Sequence, residues 1–238
     1  MLSGEELLLD QVDDNPSSLE RFRELDAKRK EESEKLAEKF YITISRHGVC
    51  EELLRLYEND DVISKIIVPT FEGEEASGDG VLRELYSLFW NDFIRENCDG
   101  SSQFTLKLLP QMTVEKYKTI GRIITHQFPQ CGLFPVQLSR ASIHQMLFEV
   151  VEEDCLLESF LHLLPPRQRE AFSGALKGKQ PFPQSLVIDV LDDYKVQTLP
   201  APKNLRDIVL KISTMEFVDK PFLPLMKIRE GMGPVRNN

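Results

Sequence analysis

Residues 41–45, YITIS, alternate polar and β-branched side chains, and a second β-branched stretch follows at residues 62–68, VISKIIV. Alternation with period two and enrichment in β-branched residues are typical of strands. Between the two stretches, residues 49–57 carry apolar side chains at helical spacing. We expect Pro69 to stop the second strand, because proline cannot donate a ladder hydrogen bond. The sequence therefore predicts a strand, a short helix and a second strand.

Helical patterns dominate the rest of the chain, where apolar side chains recur at intervals of three and four residues. The predicted helices lie at residues 82–93, 114–124, 143–151, 154–164, 167–176 and 205–212. Asp154 is a candidate N-cap of the fourth predicted helix, and we expect Pro165-Pro166 to end that helix. Asn204 with Asp207 predicts the start of the last one. Two strands among six or seven helices predict an α+β, mainly helical domain with small β elements at residues 41–232.

The residues before this domain have a different composition. Residues 1–16 are acidic, and residues 17–40 are mostly charged and contain neither glycine nor proline. Ser17 and Glu20 fit a capping box, which predicts a solvent-exposed charged helix leading into the domain. A partner-binding or coiled-coil helix is the alternative, which the lack of sustained heptads disfavours. Residues 233–238 are predicted to be a tail.

Composition and charge exclude several classes of protein. The chain has 238 residues, of which 29 are Lys or Arg and 39 are Asp or Glu, so its formal net charge is −10. This negative charge disfavours a nucleic acid or an anionic membrane surface as partner. No stretch approaches the ~18 consecutive apolar residues of a membrane span, and the acidic N-terminus does not resemble a signal peptide. Four cysteines without a CxxC pair predict a reducing compartment, the cytoplasm or alternatively the nucleus.

Residue spacing alone identifies no catalytic or metal-binding constellation. The nearest pairs of histidine and cysteine are His47 with Cys50 and His126 with Cys131, and neither belongs to a second pair at zinc-site spacing. The motifs G-x-S-x-G and HExxH do not occur. Two histidines lie in apolar helical patterns and are expected to be structural, namely His144 and His162. We therefore assign no catalytic residue, metal ligand or cofactor.

The loop at residues 71–80 combines glycines with four acids, and this composition has to be compared with that of phosphate and calcium sites. The acids would repel a phosphate, and their spacing does not match an EF-hand. We predict a tight strand-to-helix turn with glycines at positive φ, in which the acids lie near the helix N-terminus. The acids are Glu72, Glu74, Glu75 and Asp79.

Three segments of the chain occur in the order and spacing of one known family. They are residues 40–46 (FYITISR), residues 71–85, which contain FEGE and GVLREL, and residues 120–124 (IGRII). They resemble the strand-and-arginine opening, the F-x-G-E … G-G-x-x-R-E-F segment and the G-R-L/I-I helix of HECT-type ubiquitin ligase domains. Ser77 and Asp79 depart from the usual family residues. The segment from Leu199 to Met232 resembles a divergent branch of HECT-like proteins. That branch is described as similar to G2/M-phase-specific ubiquitin ligases.

The resemblance covers residues 41–232 and implies the N-terminal lobe of a HECT domain. In that family this lobe docks a ubiquitin-conjugating enzyme on a helical subdomain, which we expect within residues 140–195. The family's catalytic cysteine lies in a T-C-x-N-like loop of a second, C-terminal lobe, receives ubiquitin as a thioester and passes it to a lysine of a protein substrate. None of the four cysteines has a threonine before it, namely Cys50, Cys98, Cys131 and Cys155.

We therefore expect a HECT-like lobe without the catalytic lobe, inactive alone as a ubiquitin-protein ligase. The alternative is a non-enzymatic helical protein-interaction domain derived from a HECT scaffold. Aromatic side chains in the helical region are expected to lie in the core rather than at a docking surface. They are Phe89, Trp90, Phe160, Phe172 and Phe182.

Overall fold

The computed structural model describes residues 38–233, which form an α+β, mainly helical fold as predicted. The strands are β1 (Glu38–Ile44), β2 (Lys65–Phe71), β3 (Cys98–Gly100) and β4 (Phe104–Leu106). The helices are α1 (Val49–Leu56), α2 (Asp79–Asn97), α3 (Val114–Cys131), α4 (Arg140–Phe148), α5 (Glu153–Leu163), α6 (Pro166–Leu176), α7 (Gln184–Asp193), α8 (Leu205–Thr214) and α9 (Phe222–Gly231). A 3₁₀-helix at Asp60–Ser64 precedes β2, and a π-helix at Met215–Asp219 follows α8.

Strands β1 and β2 pair in parallel with Tyr41 opposite Val68, and α1 connects them as predicted. The expected end of the second strand at Pro69 is wrong, because β2 runs through this residue to Phe71. The backbone N–H of Glu72 donates to the carbonyl of Ile44 across the pair at 3.1 Å. Since strand backbone groups alternate in direction, the nitrogen of Pro69 faces away from β1 and no ladder hydrogen bond is lost.

The predicted charged helix over residues 17–40 is wrong at its end, because Glu38 and Lys39 belong to β1. They pair with Lys65 and Ile66 of β2, so sheet formation overrides the local helical preference. The rest of the predicted helix, the acidic residues 1–16 and the tail after Gly233 lie outside the described residues.

Several predicted helix boundaries are wrong by a few residues. Helix α4 ends at Phe148 because Glu149 adopts a left-handed backbone conformation with φ 61°, so Val150 and Val151 follow the helix. The N-cap of α5 is Glu152 rather than Asp154. Pro166 occupies the first turn of α6, where its missing N–H is not needed, and α5 has already ended at Leu163.

The structure also contains elements that the sequence patterns did not predict. The polar residues after α2 form an antiparallel pair, β3 with β4, in which Asp99 lies opposite Thr105. Helix α7 and the last helix, α9, were not predicted either. These corrections leave the fold class unchanged.

The described residues bury two hydrophobic cores. The first contains residues from β1 to α4 together with α9, and includes Phe89 and Trp90. The second contains residues of α4 to α8 and the π-helix, and its centre includes Phe160 and Phe172, both fully buried, with the half-buried Phe182 packed against it. The predicted core positions of these aromatic side chains are therefore confirmed.

Helix α9 returns to the first core after the chain has built the second. It crosses α3 at Gly121 and Gly231, where the two backbones approach closely. A Cβ atom on Gly121 would overlap the carbonyl oxygen of Ile228, and a Cβ atom on Gly231 would overlap the carbonyl oxygen of Lys118. We call β1 to α4 together with α9 the first body. Residues 153–219, from α5 to the π-helix, lie between α4 and α9 in the chain, and we call them the helical insertion. Among the described helices, none combines the length and apolarity needed to cross a bilayer.

Candidate functional site

The four cysteines are placed where a reactive thiolate is disfavoured. Cys98, Cys131 and Cys155 are buried and Cys50 is half-buried. Burial raises the pKa of Cys50 to about 12, with the nearby acids Glu96 and Asp92 adding to the effect. Burial likewise raises the pKa of Cys98 to about 12 and shifts that of Cys155 upward. A nucleophilic cysteine needs a lowered pKa and access to its substrate, so these positions do not suit thioester chemistry.

His126 lies in a buried chain of hydrogen bonds instead of a metal site. Its Nε2 is 2.7 Å from the carbonyl oxygen of Lys65, which can only accept, so Nε2 carries the proton. Its Nδ1 then accepts from the hydroxyl of Tyr57 at 2.7 Å, and that hydroxyl is 2.6 Å from the hydroxyl of Tyr86. The residues that the structure describes contain no group of three potential ligands that could hold a metal ion.

Two further histidines, His144 and His162, make separate contacts. His162 Nδ1 is 2.9 Å from the Ser102 hydroxyl, where the turn between β3 and β4 docks onto the helical insertion. The backbone N–H groups of Ser102 and Gln103 both donate to the His162 carbonyl. His144 packs edge-on against Phe148 with ring centroids 5.6 Å apart. These contacts are structural.

The loop at residues 71–80 forms the predicted strand-to-helix turn, with Gly73 and Gly78 at positive φ. Arg46, from the turn after β1, packs against this loop, with its guanidinium 4.0 Å from the centre of the Phe71 ring. Its guanidinium donates to both carboxylate oxygens of Glu74, at 2.5 and 3.0 Å, and to Glu84 at 2.6 Å. We call Arg46, Phe71, Glu74 and Glu84 the arginine cluster. It joins the opening strand, the FEGE turn and the start of α2.

A cleft of about 660 Å³ lies where β4 of the first body faces the helical insertion. Charged side chains on its walls pair with each other: Lys107 with Asp99 at 3.4 Å, and Lys220 with Glu216 at 2.5 Å. Burial raises the pKa of Tyr194, also on its wall, to about 12. Asp193 also lines the cleft, but the lining contains neither cysteine nor histidine, so the cleft offers no nucleophile paired with a base.

A smaller groove of about 170 Å³ lies on the helical insertion, between α7 and residues 196–200. Ile188 and Val196 are half-buried along it, and Leu199 at its edge is 67% exposed. We call it the α7 groove. Its rim carries the exposed acid Asp192. An apolar groove beside one acid suits a partner that presents an apolar side chain next to a basic group.

Hydrogen bonds fix both ends of the segment that closes the α7 groove. Lys195 adopts a left-handed conformation with φ 56°, and the N–H of Val196 donates back to the carbonyl of Leu191 at 3.2 Å. At the other end, Asn204 accepts from the Ala201 N–H at 2.7 Å and donates to the Leu199 carbonyl at 3.1 Å. The groove is therefore held by the fold before any partner binds. It extends a few residues beyond the predicted docking region, 140–195.

No protein-family model matches the chain, and a search of curated proteins finds none that resembles it.

Proposed function

We propose that the chain is the N-terminal lobe of a HECT-like ubiquitin ligase, which docks a ubiquitin-conjugating enzyme and does not itself form the ubiquitin thioester. The observation that carries the proposal is the α7 groove, an exposed apolar groove on the helical insertion. In the HECT family the conjugating enzyme docks on a helical subdomain of this lobe, and we assign that role to the helical insertion.

The arginine cluster supports the family assignment. Arg46 comes from the first HECT-like segment, whereas Phe71, Glu74 and Glu84 come from the second. These residues are far apart in sequence but form one contact group in the structure. A shared contact is a physical reason for the two segments to occur together at this spacing.

The positions of the thiols support the second half of the proposal. A thioester-forming cysteine must be accessible to the charged conjugating enzyme and must ionise near neutral pH. Burial holds the pKa values of Cys50 and Cys98 near the upper end of the thiol range, at about 12. In this proposal the chain positions a charged conjugating enzyme, and the acceptor cysteine is supplied by another polypeptide or lobe.

Binding to a panel of conjugating enzymes tests the proposal, using the full chain and two matched exposed residues. Leu199, in the α7 groove, is 67% exposed, and Val136, on the first body, is 73% exposed, so neither substitution should unfold the protein. We expect saturable binding to at least one enzyme, weakened about tenfold or more by Leu199→Asp because a carboxylate would be desolvated in the groove. Val136→Asp should leave the affinity unchanged.

Two other results would contradict the proposal. No binding across a broad panel would favour the alternative, a helical interaction domain without a role in ubiquitin transfer. A ubiquitin adduct that thiol reductants remove, formed on any of the four cysteines by a charged conjugating enzyme, would show that the chain carries its own catalytic thiol.

A further inference from the structure

The turn between β3 and β4 brings an exposed serine to the helical insertion. Ser102 lies in this turn, in which residues 99–102 are all exposed. Its hydroxyl oxygen accepts a hydrogen bond from Nη2 of Arg169 at 2.6 Å, and Nδ1 of His162 lies 2.9 Å from the same oxygen. Two basic side chains of the helical insertion therefore converge on one hydroxyl of the first body.

Backbone carbonyls fix the orientation of Arg169. Its Nε donates to the carbonyl of Leu161 at 2.9 Å, and its Nη2 also donates to the carbonyl of Leu164 at 3.1 Å. Within residues 38–233 no carboxylate lies within ion-pair distance of this guanidinium, and its Nη1 has no hydrogen-bond partner. In contrast, Arg206 of the same insertion pairs with two carboxylates. Arg169 thus places an uncompensated positive charge and an unused nitrogen next to Ser102.

The other charges around this hydroxyl also favour an added anion. The first turn of α6, which carries Arg169, contains no acidic residue. Asp99, the acid nearest to Ser102 in the sequence, pairs with Lys107 at 3.4 Å. A phosphate group beside a guanidinium forms charge-assisted hydrogen bonds, which are about twice as strong as those between neutral groups. A phosphoryl group on Ser102 would therefore meet a positive charge that no acid of the described residues compensates.

We propose that Ser102 is a phosphorylation site whose phosphoryl group is held by Arg169 and His162. In the modification step, the Ser102 oxygen forms a bond to the γ-phosphorus of a nucleoside triphosphate bound to a protein kinase. The bond from that phosphorus to the bridging oxygen breaks, the nucleoside diphosphate leaves, and the hydroxyl proton passes to a base of the kinase.

Phosphorylation would strengthen a contact that already exists. In the unmodified chain the hydrogen bonds of Ser102 dock the turn of the first body onto the helical insertion. The phosphoryl group adds a charge of about −1.5 to −2 to the same contact, opposite Arg169. The site shares no residue with the α7 groove, so the proposal does not depend on the docking of a conjugating enzyme.

Phosphorus NMR of the full chain carrying one phosphoserine tests the contact. Phosphoserine is incorporated at position 102 in one sample and at position 101 in the matched control. Ser101 is equally an exposed residue of the turn, but its side chain makes no hydrogen bond within residues 38–233. The second pKa of phosphoserine is about 6, and a nearby positive charge favours the dianion. We therefore expect this pKa to be about one pH unit lower at position 102 than at position 101.

Two arginine variants of the chain phosphorylated at Ser102 identify the source of this difference. Arg169→Gln should remove at least about half of it. Arg167→Gln removes the same charge from a different side of α6, because residues two apart do not share a helix face, and should leave the pKa unchanged. Equal pKa values at positions 101 and 102 would overturn the proposal, as would a difference that Arg169→Gln leaves intact.

Phosphopeptide mapping by mass spectrometry tests whether the site is used. In the full chain isolated from the cells that express it, we expect phosphate on Ser102 and none on Ser101. Absence of phosphate from Ser102 would overturn the proposal, as would phosphate on Ser101 alone.

Discussion

Acidification should destabilise the protein through His126. This side chain is 2% exposed, and burial lowers its pKa from the ordinary value of 6.5 to about 4. Between pH 6.5 and pH 4 the unfolded chain binds the proton more readily than the folded chain, so the free energy of unfolding falls as the pH falls. Well above pH 6.5 His126 is neutral in both states and has no such effect. By proton linkage the loss is about 2 kcal/mol at pH 5 and about 3 kcal/mol at pH 4.

Urea unfolding at pH 7, 5 and 4, followed by circular dichroism, measures this loss. Other groups also contribute to the pH dependence of stability, so the test compares the chain with the variant His126→Gln. Glutamine keeps a donor and an acceptor but cannot be protonated. We expect the unmodified chain to lose about 3 kcal/mol more than the variant between pH 7 and pH 4. Equal losses would refute the reasoning, as would an NMR titration giving His126 a pKa of 6 or above.

Two further predictions concern the thiols and the crossing of α3 with α9. The pKa values of Cys50 and Cys98 are raised to about 12, so both thiols should react slowly with iodoacetamide at pH 7.5. We expect rates at least about a hundredfold lower than that of a cysteine in a peptide, measured by mass spectrometry of timed samples. Rapid labelling of either cysteine would contradict this prediction. The substitution Gly121→Ala should lower the free energy of unfolding by about 3 kcal/mol, because its Cβ would overlap a rigid backbone carbonyl. The control Gly80→Ala has open space around the new Cβ, so it should be neutral or stabilise the protein by about 0.5 kcal/mol. Similar costs in thermal or urea unfolding would argue against the close helix crossing.

Much of the first body could be predicted from local patterns. Alternation at residues 41–45 predicted β1, and the glycines with acids at residues 71–80 predicted the turn before α2. The error at Pro69 arose because proline was interpreted without regard to which way its nitrogen faces. That direction depends on pairing with β1, which a local pattern does not contain.

Other features depend on contacts between distant parts of the chain. The hydrogen bond between Tyr57 and His126 joins residues 69 positions apart, so no spacing rule could have identified it. Helix α4 ends at Phe148 because the next residue, Glu149, adopts a left-handed conformation that glycine usually adopts. A glutamate at this position is not a stop signal that the sequence could reveal.

The α7 groove was also only partly predictable. Its helix was not identified, and its closing wall depends on Lys195 turning the chain back toward Leu191. One signal was present in the sequence: Val196 and Leu199 are apolar residues in a segment without helical or strand periodicity. Apolar side chains in such a segment indicate either packing against a neighbour or a surface that binds a partner.

NMR mapping of the bound partner tests the central claim most directly. The isotope-labelled full chain would be titrated with the unlabelled conjugating enzyme that binds it best. Docking at the α7 groove predicts saturable shift changes concentrated at Ile188, Val196 and Leu199, with the arginine cluster unaffected. Changes confined to the first body, or no saturable change with any conjugating enzyme, would contradict the account.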